Sequence, residues 1–237
     1  MHETLEEIQA NSRKLIDGPV NVYFVIFSFI LLYAFNKTPV FLLAFLIFSA
    51  LCLYSTGFSY FRFLRVPSYF IAPALFVIAV ITPGEHLVWL ISREGVETAF
   101  RTFLRTYSSL SLMLYLIFTT SIPELLSALK KLRLPDFVVE MMSLIYRSIQ
   151  IFLDELFRLE TSAESRLGFA NRKSFVRTAA LIGYSMFVKS LDRAEKLDMA
   201  MEARCYSGKV PVVTGGNRGT VHALVIVLLL TLAGVVL

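Results

Sequence analysis

Hydrophobic and polar positions follow two different patterns along this chain. Five stretches, 18–36, 38–61, 66–84, 106–123 and 219–237, contain no charged side chain. Each approaches or exceeds the ~17–25 apolar residues that a helix needs to cross hydrocarbon, so each predicts a membrane-spanning helix. Between the fourth and fifth stretches the pattern changes to helical periodicity. Beyond Pro135, apolar residues recur at Val138, Met141, Ile145, Ile149, Phe152, Leu156 and Leu159, at spacings of three and four that mark one face of a helix. Glu140, Ser143, Arg147, Gln150, Asp154 and Arg158 lie opposite, with Asp154 and Arg158 at the i,i+4 spacing of a solvated face. A second long helix is predicted from about Ser174 to Tyr206, with Phe187, Leu191, Ala194, Leu197 and Met201 facing one way. Its uncharged part, 178–188, is too short to span a bilayer, and Gly183, Ala194, Ala200 and Ala203 would let a partner helix approach closely. Ahead of both, Pro123 and Pro135 bracket a short amphipathic segment with Leu125, Leu126 and Leu129 on one side and Lys130, Lys131 and Arg133 beyond, suited to an interface.

Composition decides between buried core helices and membrane spans. Hydrophobic residues make up 56% of the 237 positions, charged ones 17%, and the mean hydropathy is +0.66. One such run fits a soluble core; five in so short a chain predict an all-α integral membrane protein. Its expected organisation is a four-helix membrane part at 1–122, a charged middle at 123–218, and a last membrane helix at 219–237. Glu3, Glu6, Glu7 and Asp17 precede the first run without a small-residue cleavage site after it, which is the pattern of a retained segment. Arg62, Arg65, Lys130, Lys131 and Arg133 flank alternate runs, which places the N-terminus and the charged middle in the cytoplasm by the positive-inside rule; Arg93, Arg101 and Arg105 dilute that signal. Pro67, Pro73 and Pro83 predict a kinked third helix. Cys52 in an apolar run and Cys205 in a charged one give a disulfide no support.

The charged middle contains an internal echo. Glu164-Ser165-Arg166-Leu167 and Glu202-Ala203-Arg204-Cys205 share the order Glu, small, Arg, apolar, each at a predicted helix end, with Gly168 and Gly208 following as stop signals. An arginine there is favoured by the helix dipole, by roughly 0.3–1 kcal/mol. Small neighbours also leave its guanidinium free to enter a partner's cleft and bind carboxylate or backbone oxygens with its planar fork. Two such ends imply a partner with two similar clefts.

With these motifs in place, 123–208 resembles the transmembrane (T) component of energy-coupling factor transporters. "ALKKLRLPDFVVEMMSLIYRSIQIFLDEL" is similar to that family's first coupling segments, and "SLDRAEKLDMAMEARCYSG" to its Ala-Met-x-Ala-Arg-Gly signature. The resemblance implies two coupling helices that cross, each docking one of two ATP-binding-cassette subunits, with movement passed to a substrate-capturing (S-type) membrane subunit. It assigns docking to Arg166 and Arg204 with Ser165, Leu167, Ala203 and Cys205, supported by Glu164, Gly168, Glu202 and Gly208, both arginines on one cytoplasmic surface. Leu167 and Cys205 stand where the family has glycine. "VKSLDRAEKL" resembles the cobalt/nickel branch more than the vitamin branch.

Other classes find less support. "TGGNRGT" lacks the Gly-Lys-Ser/Thr of a phosphate-binding loop, so no ATP site is expected in this chain. The histidines His2, His86 and His222 are scattered, and Met1-His2 alone makes a poor metal site, so neither metal nor other cofactor is expected. The membrane runs hold no acid/base pair for an intramembrane enzyme and no midplane ion site. Nucleic acid is not an expected partner; the lipid bilayer is. A membrane scaffold without ATPase partners stays open at this point.

Overall fold

Prolines and left-handed residues set the first helix borders. Helix α1 (Pro19–Phe35) opens on Pro19 and closes at Asn36, which sits at φ 44°. Helix α2 (Thr38–Thr56) again has a proline in its first turn and stops at Gly57, whose N–H bonds the Leu53 carbonyl at 2.9 Å. Proline suits these starts because the N–H it lacks is one that a helix beginning leaves unpaired. Helix α3 (Ser59–Ile81) takes in Arg62 and Arg65 on its first turns and runs unbroken through Pro67 and Pro73. Next come a short antiparallel pair, β1 (His86–Val88) and β2 (Ile91–Ser92), then helices α4 (Arg93–Thr119), α5 (Ile122–Lys131), α6 (Asp136–Ser165), α7 (Arg172–Ala203) and α8 (Thr220–Val236). The structure, a computed structural model, describes residues 12, 14–57, 59–82, 86–88, 91–206 and 219–236; Pro83 and Gly208 lie outside them.

The chain divides into two compact units, one of Met1–Ala128 with Val213–Leu237 and one of Leu129–Val212. In the first, α4 packs on α1, α2 and α3, and α8 lies against α1 and α2. Aromatic rings fill its centre: Phe24, Phe48 and Tyr115, from α1, α2 and α4, meet with centroids 5.8 to 6.4 Å apart. Phe41, Ala44, Phe48, Cys52 and Phe118 around them are fully buried. Small polar side chains join α4 to its neighbours inside this apolar region. Ser108 Oγ lies within hydrogen-bond distance of the Phe41 carbonyl (2.5 Å) and its own helix's Leu104 carbonyl (2.6 Å), and the Ser111 and Tyr60 hydroxyls are 2.9 Å apart. Such partners offset the cost of burying a hydroxyl away from water.

Helices carry the chain, as the all-α reading expected, and the β1–β2 pair adds only five residues beside them. Among the described residues, two helices are long and apolar enough to cross a bilayer, α2 and α3, or three if the α4–α5 pair, bent by 103°, counts as one span. Five spans were expected; length and composition single out these two or three. Helices α1 and α8, at 17 residues each, stand at the short margin, and α4 begins in charge at Arg93, Glu94 and Glu97. Helix α3 buries only Tyr60 and leaves Phe70 77% exposed along with Val66, Tyr69 and Ile81, an apolar surface suited to lipid.

Candidate docking ends of the helical hairpin

Helices α6 and α7 form an antiparallel hairpin through the turn at 166–171. The predicted apolar face of α6 is shared between two environments. Phe152 and Leu159 line clefts formed with α7, whereas Met141, Ile145 and Ile149 remain exposed. Helix α7 buries no residue fully, and its predicted apolar stripe, Phe187, Leu191 and Leu197, is exposed. Toward α6 it presents a mixed side: Leu197 and Ala200 line the cleft with Phe152, beside Lys189, whose ammonium pairs with the Glu155 carboxylate. The Lys189 hydrogen bond, helped by the nearby charges of Lys189, Arg158 and Arg193, holds the Glu155 carboxyl below its ordinary range.

Both Glu-small-Arg motifs adopt one backbone arrangement. At the end of α6, Ser165 is the last helical residue, Arg166 the cap at φ −100°, and Leu167 the left-handed residue at φ 56°. The Gly168 N–H bonds back to the Ala163 carbonyl and the Leu167 N–H to the Glu164 carbonyl, each at 2.9 Å. At the end of α7, Ala203 is last, Arg204 caps at φ −95°, and Cys205 is left-handed at φ 51°. The Tyr206 N–H bonds to the Met201 carbonyl at 3.1 Å and the Cys205 N–H to the Glu202 carbonyl at 2.9 Å. This crossed pair of bonds is the Schellman ending, which satisfies carbonyls that a helix end leaves open.

The left-handed position belongs to Leu167 and Cys205, not to the glycines that were expected to cap. Gly168 follows one residue later and serves close approach: a Cβ there would lie 2.9 Å from both the Ala163 carbonyl oxygen and Thr178 Oγ1. Helix α7 likewise ends at Ala203, before Gly208. Side chains of Glu164, Ser165, Arg166, Leu167, Glu202, Ala203, Arg204 and Cys205 are all exposed. The two arginines stand at opposite ends of α7, separated by its 32 residues, about 48 Å of helix. They are not neighbours on one small patch.

Sequence reasoning missed the clamp that fixes the first end. Ser174 and Thr178 both donate to the Gly168 carbonyl at 2.9 Å, and their i,i+4 spacing on the first turns of α7 was the available signal. Beside this clamp, Arg166 and Arg177 line an open crevice of about 440 Å³ between α6 and α7, with Ser162 and Ser185. Among the described residues no cluster of three or more His, Cys, Asp or Glu is placed to hold a metal ion. Cys52 is buried and Cys205 exposed, and neither is bonded.

The sequence profile of the cobalt transport protein family, CbiQ, matches residues 10–213. An uncharacterised protein of Methanocaldococcus jannaschii is 35% identical over 52% of this chain and 46% of its own length. The cobalt transport protein CbiQ of Rhodobacter capsulatus is 28% identical over 73% of this chain and 74% of its own. The energy-coupling factor transporter transmembrane protein EcfT of Acidaminococcus fermentans is 32% identical over 62% of this chain and 58% of its own. Apart from the Rhodobacter protein, the chain spans about half the length of these curated relatives.

Proposed function

This chain belongs to the cobalt transport protein (CbiQ) family, and from that premise we propose that it is the energy-coupling T subunit of an importer of the energy-coupling factor type. It docks two ATPase subunits through Arg166 and Arg204 and passes their movement to a substrate-capturing membrane subunit, with cobalt or nickel as cargo. The family is one of transport proteins, not enzymes, and the chain supplies coupling, not catalysis. The observation that carries this reading is the pair of matched helix ends. Two consecutive long helices finish in the same hydrogen-bonded ending, each with an exposed arginine at the cap and a non-glycine residue held left-handed behind it. Dipole stabilisation alone needs neither the repetition nor the strained residue.

The 48 Å of helix between the arginines supports two separate ATPase contacts over one shared cleft. Exposed apolar side chains along both helices, Ile145 and Ile149 on α6 and Phe187 and Leu191 on α7, give further partners surface to bury. We place the N-terminus and the hairpin in the cytoplasm, on the support of Arg62, Arg65, Lys130 and Lys131 near one set of helix ends. A T component shared for vitamin uptake is a second reading, kept open because the Acidaminococcus relative carries no metal in its name. Expression with its cognate ATPases and small membrane subunit tests the assignment. The expected outcome is ATP-dependent uptake of radioactive cobalt that this chain alone does not support. Uptake of a vitamin in place of cobalt favours the second reading, and absence of any ATPase in the purified complex overturns both.

A further inference from the structure

The sharp corner between α4 and α5 is held by a segment more than ninety residues earlier in the chain. Asn21, 1% exposed near the start of α1, donates from its amide nitrogen to Thr119 Oγ1 at 2.7 Å and Thr120 Oγ1 at 3.0 Å, the two residues at which α4 ends. Thr119 directs its own proton to the Tyr115 carbonyl at 2.6 Å, which leaves its oxygen free to accept. One turn further on, both oxygens of Glu124 are engaged. One takes the Ser121 N–H at 3.0 Å, which caps the start of α5, and the other takes the Lys14 ammonium at 2.9 Å. Two residues after Asn21, the Tyr23 hydroxyl donates to the Ala128 carbonyl at 2.6 Å. Contacts from 14–23 therefore reach the end of α4, the cap of α5 and the latter part of α5.

The same strap is fixed from its other side. Ile16 is buried in the core of the membrane unit, and Gly219, just ahead of α8, packs so closely that a Cβ there would lie 2.3 Å from the Leu15 carbonyl oxygen. Asn21 Oδ1, by contrast, has no hydrogen-bond partner among the described residues although it is buried. A buried amide that donates twice fixes direction as well as adding a modest net stability from each bond. Its two donated bonds constrain the direction in which α5 leaves α4. Beyond Ala128 the chain passes into the unit that contains the hairpin.

We propose that Lys14, Asn21 and Tyr23 are positioning residues that lock the α4–α5 elbow, making α5 a rigid lever through which the hairpin's movement reaches the membrane helices. The coupling part of this inference rests on the transport reading; the locked elbow does not. Two measurements keep them apart. The first is limited trypsin cleavage at Lys130 and Lys131, both exposed at the end of α5, in membranes carrying the full chain. Asn21→Leu and Glu124→Ala are expected to speed that cleavage at least fivefold, and Glu124→Gln, whose amide oxygen can still accept from this corner, to stay within twofold of wild type. Unchanged cleavage in both Asn21→Leu and Glu124→Ala, or cleavage in Glu124→Gln as fast as in Glu124→Ala, overturns the locked elbow. The second is cobalt taken up per ATP hydrolysed by the assembled complex. Asn21→Leu is expected to lower that ratio at least tenfold while hydrolysis stays within twofold, and Glu124→Gln to keep the ratio near wild type where Glu124→Ala loses it. Uptake and hydrolysis falling in parallel would make the strap a folding element and overturn its coupling role. If the wild-type complex shows no transport while the cleavage results hold, the elbow stands and the transport reading fails.

Discussion

Leu167 and Cys205 occupy backbone that side chains with a Cβ rarely adopt, at φ 56° and 51°. Such residues cost of order 1–3 kcal/mol each and persist where surrounding structure or function retains them. Leu167→Gly and Cys205→Gly are each expected to stabilise the hairpin by about 1 kcal/mol, read as a rise of roughly 2–4 °C in Tm in detergent. A fall in Tm would show that the Leu167 side chain, 75% exposed here, is not idle. The neighbouring arginines separate docking from capping by size of effect. Truncating one partner of a buried, hydrogen-bonded charge pair costs about 2–5 kcal/mol, whereas a dipole contact at a helix end reaches at most about 2. Arg204→Ala is expected to weaken ATPase association by well over tenfold without impairing membrane insertion, and Arg204→Lys to rescue it only in part, since an ammonium cannot reproduce the planar fork. Arg166→Ala with Arg204→Ala is expected to abolish uptake. If the double variant assembles and transports as wild type, both arginines are helix caps only.

The long helices show what periodicity reveals and what it misses. Spacing located α6 and α7 to within a few residues and identified both arginine ends, because amphipathic faces and stop signals are local properties. It misassigned the left-handed residue to Gly168, because a Schellman ending fixes the backbone by its crossed hydrogen bonds and tolerates leucine when those bonds are made. Nor did it show that α7 would set Lys189 against α6, since that contact depends on Glu155, 34 residues away. The lock at the elbow was invisible for the same reason: Lys14 and Glu124 are 110 positions apart. At the hairpin turn, Gly168→Ala is expected to cost about 1–3 kcal/mol by forcing Thr178 and the Ala163 carbonyl apart, detectable as faster trypsin cleavage at Arg172 and Lys173. The Glu155–Lys189 pair gives a pH dependence of known sign. Because the carboxyl is held below its ordinary value of 4.5, its contribution is present above that value and is lost as pH falls through the folded value. Screening keeps the effect small for so exposed a pair. Hairpin opening, followed by the same cleavage, should be flat from pH 6 to 8 and increase only in acid; Lys189→Ala should remove the acid increase.

For the whole molecule, the two native cysteines provide a test of orientation without any engineered residue. Cys205 is exposed directly behind Arg204, whereas Cys52 is 0% exposed in the aromatic core of the membrane unit. A membrane-impermeant maleimide should therefore report on Cys205 alone. If the hairpin is cytoplasmic, intact cells are expected to show no labelling, and inside-out vesicles one label per chain that Cys205→Ser removes. Labelling in intact cells would reverse the orientation and remove the ATPases from reach of both arginines. The same reagent then tests the docking arrangement. An ATPase seated over Arg204 covers the next residue, so assembly with the ATPases should slow Cys205 labelling at least tenfold, and Arg204→Ala should restore the free rate. Arg166→Ala should leave the protection at Cys205 largely in place, because about 48 Å of α7 separates the two ends. Loss of protection in that variant would instead mean that the two contacts form only together, with both ATPases held as one body across the hairpin.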